Sequence, residues 1–127
     1  MIEHPDPQAL PLCPSADLQE GGLAVPFDVV YHGQHCRAFA IRFEGRVHAY
    51  LNRCAHVPME MDWQPNRFFD DSGQWLLCAT HGATYAPDTG HCVAGPCSGA
   101  QLVRIELIEA AGQVHWQPTG ALRPIAF

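Results

Sequence analysis

Two short stretches of the sequence each place a cysteine beside a histidine. Cys54 and His56 are separated by one residue, and Cys78 and His81 are separated by two. Thiolate sulfur and imidazole nitrogen are both good ligands for zinc and for iron. If the fold brings the two pairs together, two thiolates and two imidazoles converge on one point. The spacing therefore predicts a metal centre.

The mixed composition of each pair limits the kind of metal centre. Zinc accepts two cysteines and two histidines, but zinc fingers usually place the cysteines in one loop and the histidines in the other. In a [2Fe-2S] cluster, one iron can take Cys54 and Cys78 while the other takes His56 and His81. Each loop then supplies one ligand to each iron. One [2Fe-2S] cluster per chain explains the mixture, and the alternative is a zinc site that stabilises a binding module with no redox role.

The residues after the second pair fit a cluster-binding role. Gly82 has no Cβ, so the backbone can turn tightly there and bring amide groups close to the sulfides of a cluster. Further along, Gly95-Pro96 predicts a rigid turn that can close over the site. We therefore expect three loops around the metal centre.

These residues together resemble those of the Rieske [2Fe-2S] proteins, over about residues 25–115. The resemblance implies a β-sandwich of three small antiparallel sheets, with the cluster-binding loops at one end. It also implies that both histidines bind iron through Nδ1 and that Gly82, Tyr85 and Pro96 surround the cluster. The matching residues are Cys54-Ala55-His56, Cys78-Ala79-Thr80-His81-Gly82, Tyr85, Gly90 and Gly95-Pro96.

The chain differs at several site positions from one group within the family that it resembles, the Rieske proteins of cytochrome bc complexes. Those proteins carry an extra cysteine in each ligand loop, and here Met59 and Thr80 occupy the equivalent places, so no disulfide joins the loops. Their serine donor to a sulfide is replaced by Ala83, whereas the tyrosine donor to a ligand cysteine is kept as Tyr85. With fewer donors, we expect a potential in the lower part of the Rieske range of about −150 to +300 mV.

The rest of the chain predicts an all-β, antiparallel domain. Short β-branched and aromatic segments are separated by Gly- and Asp-containing turns, and eleven glycines and eleven prolines argue against long helices. One short helix is possible in the stretch "SADLQEGG". The predicted strands are Val25–Tyr31, Cys36–Arg42, Arg46–Leu51, Trp75–Leu77, Val103–Ile108 and Val114–Gln117.

With 127 residues the chain is long enough for one domain only. We expect a Pro-rich N-terminal extension at 1–24 that wraps loosely, the Rieske domain at 25–117, and a C-terminal tail at 118–127. The N-terminus lacks the features of a signal peptide, and we find no apolar run that could span a membrane, so we expect a cytoplasmic protein. In that compartment Cys13, Cys36, Cys92 and Cys97 are expected to be reduced structural thiols, and a disulfide between Cys92 and Cys97, which flank the third loop, is the alternative.

The charge and the resemblance together predict the partners. A net charge of −6 with seven scattered basic residues excludes a nucleic-acid surface and suits a positively charged face on another protein. The resemblance implies an electron carrier, a ferredoxin that passes one electron from a reductase to an oxygenase or another redox enzyme. We expect a monomer without catalytic residues, because catalysis belongs to the partner. The alternative on the same fold is a small subunit resembling that of assimilatory nitrite reductase.

The segment between the two pairs carries apolar residues that can form a collar around the site. Met59 is the best candidate to touch a partner, whereas Trp63, Phe68 and Phe69 are expected to pack inward. Met61 belongs to the same collar. The remaining histidines are interpreted as surface or strand residues: His4, His32, His35, His48, His91 and His115.

Overall fold

The computed structural model describes residues 9–54, 59–62, 64–79, 82–97 and 99–125. It contains eleven strands and one turn of 3-10 helix at Ser15–Asp17, within the stretch where a short helix was possible. No helix in these ranges is long and apolar enough to cross a membrane. The strands are β1 (Leu10–Pro14), β2 (Val25–Tyr31), β3 (Gln34–Phe43), β4 (Arg46–Leu51), β5 (Leu76–Leu77), β6 (Thr84–Tyr85), β7 (Cys92–Ala94), β8 (Arg104–Ile105), β9 (Leu107–Ala110), β10 (Gln113–Trp116) and β11 (Leu122–Arg123).

The strands form three sheets, and every strand pair in them is antiparallel. A central five-stranded sheet has the order β11-β2-β3-β4-β8. A three-stranded sheet of order β1-β10-β9 accompanies it, and a second one of order β5-β6-β7 carries the candidate site. The predicted all-β fold of three small antiparallel sheets is confirmed.

The long strands match the sequence prediction best. β2 and β4 have the predicted bounds, and β3 is longer than predicted at both ends. The predicted strand Val103–Ile108 is instead two strands, because β8 pairs with β4 and β9 pairs with β10. Two-residue and three-residue strands such as β6 and β7 were missed, since they are too short for an alternating pattern.

The two terminal segments are more ordered than the sequence suggested. Residues 10–14 form β1 on the edge of a sheet, so the expectation of a loosely wrapping stretch is wrong for this part. A bulge between Pro11 and Cys13 accommodates the prolines, which an edge strand tolerates because they lack an N–H group. Near the other end, β11 pairs with Tyr31 and Val30 of β2, rather than lying over the domain as a tail.

The central sheet is covered on both faces, and β3 sorts its side chains between them. Successive residues of a strand point to opposite faces. Phe39 and Ile41 face a core shared with the β5-β6-β7 sheet, whereas Ala38 and Ala40 face a core shared with β10. Phe39 also stacks on Phe68, with 3.7 Å between the ring centroids. The aromatic face of the central sheet thus supports the sheet of the candidate site.

Arg42 of β3 links the central sheet to the sheet of β9. Its guanidinium donates to both carboxylate oxygens of Glu109, at 2.6 and 3.2 Å. It also donates to the carbonyls of Leu18 and Ser15, at 2.7 and 3.2 Å. The bond between the two side chains raises the pKa of Arg42 and lowers the pKa of Glu109, because each charged form is stabilised by the other.

Replacing Glu109 by glutamine should lower the free energy of unfolding by about 1–2 kcal/mol near neutral pH, because a partly exposed bidentate pair loses one charge. The folded-state pKa of Glu109 is lowered, so its contribution is present above the ordinary value of 4.5 and disappears as the pH falls through the folded-state value. Denaturant unfolding of wild type and Glu109→Gln should therefore differ less in acid.

The matched control is Glu106→Gln, a neighbouring exposed carboxylate. It should change the free energy of unfolding by less than about 0.5 kcal/mol. A Glu109→Gln effect that stays the same from neutral to acidic pH would contradict this account of the pair.

Candidate metal centre

Both candidate ligand cysteines lie within three residues of a strand end. Cys54 comes after β4, and Cys78 comes immediately after β5. Their exposed fractions are 2% and 0%, and both belong to the core cluster that also contains Tyr85 and Met61. The fold therefore brings the two thiols into one buried environment. His56 and His81 lie outside the described residues.

Each ligand loop is closed by the backbone of its own cysteine. The Cys54 N–H donates to the carbonyl of Met59 at 2.8 Å, and the Cys78 N–H donates to the carbonyl of Ala83 at 2.8 Å. In both loops the acceptor is five positions after the cysteine, and the histidine of the pair falls between them in the sequence. The similarity of the two pairs in the sequence thus extends to the bonds that close their loops.

The first loop is braced by a polar network. The Asn52 side chain accepts a hydrogen bond from the Met61 N–H and donates one to Asp62 Oδ1, both at 2.8 Å. The other oxygen of Asp62 accepts from the Asn66 N–H at 2.8 Å. Sequence reasoning missed Asn52 and Asp62. The only signal was an asparagine two residues before a candidate ligand, which by itself has many explanations.

A backbone hydrogen bond joins the two ligand loops. The N–H of Ala79, which follows Cys78, donates to the carbonyl of Met61 at 3.0 Å. Since Met61 is itself fixed by Asn52, the second loop is held against the braced end of the first. The separation between the two cysteines is therefore set by main-chain bonds as well as by packing.

Tyr85 lies beside a candidate ligand cysteine, and its role toward a cluster stays a prediction. Its side chain is fully buried, and its hydroxyl oxygen lies 3.3 Å from Cys54 Sγ. When the cysteine is a thiolate, it has no proton to give, so the tyrosine must be the donor. In that state the Tyr85 hydroxyl would stabilise negative charge on a candidate ligand sulfur. Ala83, at the place of the missing serine donor, is also fully buried and carries no hydroxyl group.

Gly82 makes the tight turn predicted for it. Its φ is +74°, in the left-handed region that favours glycine. Its N–H donates to the carbonyl of Cys78 at 2.9 Å, so this amide closes the ligand loop. The predicted closeness of the amide to a cluster stays a prediction.

The third loop packs on the second. Gly95 has a φ of +86°, and a Cβ at this position would come within 2.6 Å of the Gly82 carbonyl oxygen. The backbones of the two loops are therefore in direct contact where only glycine fits. The neighbouring Pro96 is exposed at the same end of the molecule.

The expectation that Cys92 and Cys97 are reduced thiols is wrong. They form a disulfide, with a Cα–Cα distance of 5.6 Å, which lies in the usual range for such bonds. The turn at Gly95 and Pro96 brings the two cysteines together. The alternative, a disulfide between the two cysteines that flank the third loop, is the one found; the compartment had favoured thiols, and the Cα–Cα distance cannot be read from the sequence.

A buried tyrosine supports the turn between β6 and β7. The Tyr50 hydroxyl donates to the Pro87 carbonyl at 2.8 Å, and its ring lies 2.8 Å from the position that a Cβ on Gly90 would take. Burial raises the pKa of Tyr50, so its hydroxyl stays protonated as a donor. The Gly90 of the sequence motif therefore makes room for this ring.

The apolar collar divides as the sequence suggested for three of its members. Met59 is exposed at 49%, whereas Phe68 and Phe69 are buried. Met61 is fully buried and so belongs to the core instead of the collar. Trp63 lies outside the described residues, as does Thr80.

The residues present fit a Rieske-type [2Fe-2S] cluster. Two buried sulfur atoms sit at the starts of two loops that are joined to each other, and a hydroxyl group points at one of them. A third loop packs on the second at a glycine. Thiolates are ligands that iron–sulfur clusters use, and a donor to a thiolate is the kind of contact that tunes their potential.

Comparison of the sequence with protein-family models gives the same kind of cluster-binding domain. A family model described as the Rieske [2Fe-2S] domain matches residues 8–115. Among curated protein sequences, none matches the chain significantly.

Solved structures with the same fold include a ferredoxin of carbazole 1,9a-dioxygenase from Nocardioides aromaticivorans IC177. Its sequence is 18% identical, the match covers 88% of this chain and 99% of that one, and the TM-score is 0.69. A structure described as a complex of reduced oxygenase and oxidized ferredoxin in carbazole 1,9a-dioxygenase matches at 20% identity, 88% and 94% coverage, and a TM-score of 0.65.

A terminal oxygenase of carbazole 1,9a-dioxygenase from Novosphingobium sp. KA1 matches at 24% identity and a TM-score of 0.65. The match covers 94% of this chain but 31% of the oxygenase. At these identities the likeness concerns the fold.

The contact between the third and second loops should be sensitive to a single methyl group. Gly95→Ala adds a Cβ that collides with the Gly82 carbonyl, on top of the cost of about 1–2 kcal/mol for a left-handed alanine. We expect a lower thermal unfolding temperature and a lower iron content per chain.

Gly99→Ala is the matched control, because Gly99 also has a positive φ, of +79°, but a Cβ there meets nothing within 4 Å. It should carry the backbone cost alone and keep its iron. Equal effects of the two substitutions on iron content would mean that the loop contact does not support the site.

Proposed function

We propose, on the basis that this chain belongs to the Rieske [2Fe-2S] domain family, that it carries single electrons from a reductase to an oxygenase or another redox enzyme. The family implies one [2Fe-2S] cluster per chain, and when bound the cluster supplies one-electron exchange. The observation that carries the proposal is the pair of buried cysteines at two linked loops, with the Tyr85 hydroxyl on Cys54.

In this proposal Cys54 and Cys78 bind one iron, and His56 and His81 bind the other. Gly82, Tyr85 and Pro96 then surround the cluster, as the resemblance to Rieske proteins implies. The contact of Tyr85 with Cys54 and that of Gly82 with Cys78 support this placement for two of the three. In this proposal the residues that form the two ligand loops and their surroundings have three roles. They hold the sulfur ligands away from water, keep the two loops at a constant separation, and donate to one ligand sulfur.

The choice of an oxygenase as acceptor comes from the similar structures. One similar protein is a ferredoxin of carbazole 1,9a-dioxygenase, and another structure is a complex of oxygenase and ferredoxin. The ferredoxin match covers 99% of that chain, whereas the terminal oxygenase match covers only 31%. We propose, as the resemblance to Rieske ferredoxins implies, that catalysis belongs to the partner.

Several features of the chain suit transient contact with a redox partner. The net charge of −6 favours a positively charged docking face. Met59 is exposed and follows the first ligand loop, and its flexible side chain can adapt to an apolar spot on a partner. The reductase as donor, the monomeric state and the cytoplasmic location, which the sequence predicts, are parts of the same proposal.

The proposal is tested first by the cofactor and its ligands. Purified without oxygen, the protein should contain about two iron and two acid-labile sulfide per chain. Replacing any of the four ligands (Cys54, His56, Cys78 or His81) by alanine should remove the cluster, because metal binding and loop folding are coupled. The loaded wild type, once reduced, should be reoxidised by the oxygenase component of a carbazole 1,9a-dioxygenase in stopped-flow absorbance.

Cys36→Ala is the control for these substitutions, because Cys36 lies on β3 and outside the site. It should keep both the cluster and the electron transfer. Stoichiometric zinc in place of iron, or a loaded wild type that no redox enzyme reoxidises, would sink the proposal.

Tyr85→Phe should lower the reduction potential. The hydroxyl stabilises negative charge on Cys54, and the reduced state carries one more negative charge than the oxidised state. A hydrogen bond worth about 0.5–1.5 kcal/mol corresponds to roughly 20–60 mV for a one-electron couple. Protein-film voltammetry measures this shift directly.

The control is Tyr50→Phe, which removes another buried hydroxyl from the same core but one that donates to the Pro87 carbonyl. It should destabilise the protein while leaving the potential within a few millivolts. A rise in potential on Tyr85→Phe would show that its hydroxyl does not act on the ligand sulfur.

A further inference from the structure

The third loop differs from the two ligand loops because a disulfide closes it. Cys92 and Cys97 enclose residues 93–96, all of which are exposed, and Val93 is exposed at 49%. Besides the pairing of Ala94 with Thr84 and the contact of Gly95 with Gly82, this exposed segment is kept in one conformation by what ties down its ends. Here one tie is covalent and sensitive to reduction.

Both ends of this loop are attached to the site. Cys97 is 2% exposed and packs in the core cluster that contains Cys54 and Cys78. Cys92 lies opposite Tyr85 in the ladder between β6 and β7, and its N–H donates to the Ala100 carbonyl at 2.9 Å. The disulfide therefore joins the strand beside Tyr85 to a residue in the core around the candidate ligands.

The middle of the loop touches the second ligand loop. The backbone of Gly95 is so close to Gly82 that a Cβ would come within 2.6 Å of the carbonyl oxygen and within 3.0 Å of the Ala83 Cα. A change in the third loop must therefore change the packing on the segment that closes the Cys78 loop.

The two sulfur atoms differ in exposure. Cys92 is partly exposed, whereas Cys97 is buried. A thiolate from solvent therefore reaches Cys92 Sγ more easily, forming a mixed disulfide there and releasing Cys97 as a thiolate that takes up a proton. The second thiol of a dithiol then attacks the mixed disulfide and releases Cys92 as a thiol. Two electrons and two protons pass to the protein, and the dithiol becomes a disulfide.

We propose that the Cys92–Cys97 disulfide is a thiol-sensitive latch on the third loop. When formed, it holds Gly95 against the second ligand loop; when a dithiol reduces it, the loop loosens and water and chelators reach the cluster more easily. The effect on the cluster rests on the proposed function. A disulfide in the proposed cytoplasmic location fits such a role, because cytosolic disulfides are usually transient and redox-sensing.

The test compares loss of the cluster with the state of the disulfide. Loaded wild type, handled without oxygen, is incubated with or without dithiothreitol; the dithiol is then removed, and bleaching of visible absorbance by EDTA is followed. A thiol count after unfolding reports how much disulfide was cleaved. We expect bleaching to become several-fold faster in proportion to cleavage. The Cys92→Ser/Cys97→Ser variant should bleach at the fast rate with or without the dithiol.

Cys36→Ser, which leaves the disulfide intact, is the matched control and should respond to the dithiol as wild type does. Hydrogen exchange on the protein as purified gives a readout that does not need the cluster. Reduction should speed exchange of the amides at 93–95, 97 and 82–85 and leave those of β2–β4 unchanged. Wild-type exchange rates in β2–β4 of the Cys92→Ser/Cys97→Ser variant would show that this variant is folded.

The outcomes separate this inference from the proposed function. Faster exchange at those amides in a protein that holds no iron–sulfur cluster would support the latch and overturn the electron carrier. A loaded protein whose bleaching and exchange are unchanged after the thiol count shows full cleavage would overturn the latch and leave the carrier standing. A thiol count that finds no disulfide in the isolated protein would also overturn the latch.

Discussion

The antiparallel pairing of β5 with β6 is the constraint on which the candidate site depends. It sets Leu76 opposite Tyr85, and the strands then separate into the loop that begins at Cys78. The same pairing directs the Tyr85 hydroxyl to Cys54, which comes from a distant part of the sequence. One two-residue ladder thus positions the second ligand loop and links it to the first.

The central sheet makes that small ladder stable. Two-residue strands have little stability of their own, because a sheet needs a hydrophobic face and further strands. Phe39 of β3 supplies such a face through its stack on Phe68, and the Leu77 N–H donates to the Phe68 carbonyl at 2.8 Å. On the opposite face of β3, alanines pack against the β1-β10-β9 sheet. The candidate site therefore packs on a central sheet that is itself buried on both faces.

The features that could be predicted from the sequence are those that depend on a local pattern or on residue type. β2 and β4 are six or seven residues long and rich in β-branched and aromatic residues, and their bounds were predicted correctly. The Cys/His pairs were singled out because their ligand chemistry is specific, whereas Tyr85 was assigned through the resemblance to Rieske proteins. The bonds of Asn52 were not predicted and the Cys92–Cys97 disulfide was only the alternative, since both depend on distances between loops that no local pattern encodes. β1 was missed because its prolines argue against a strand, and only its edge position makes them acceptable.

The mixed ligation is the central claim of this account, and nitrogen ligands can be observed directly. The measurement is pulsed EPR on the dithionite-reduced protein labelled with ¹⁵N at its histidines. Ligation by His56 and His81 predicts an average g value below that of all-cysteine clusters and hyperfine couplings from two histidine nitrogens bound to one iron. A reduced cluster whose spectrum carries no histidine nitrogen coupling would contradict the claim.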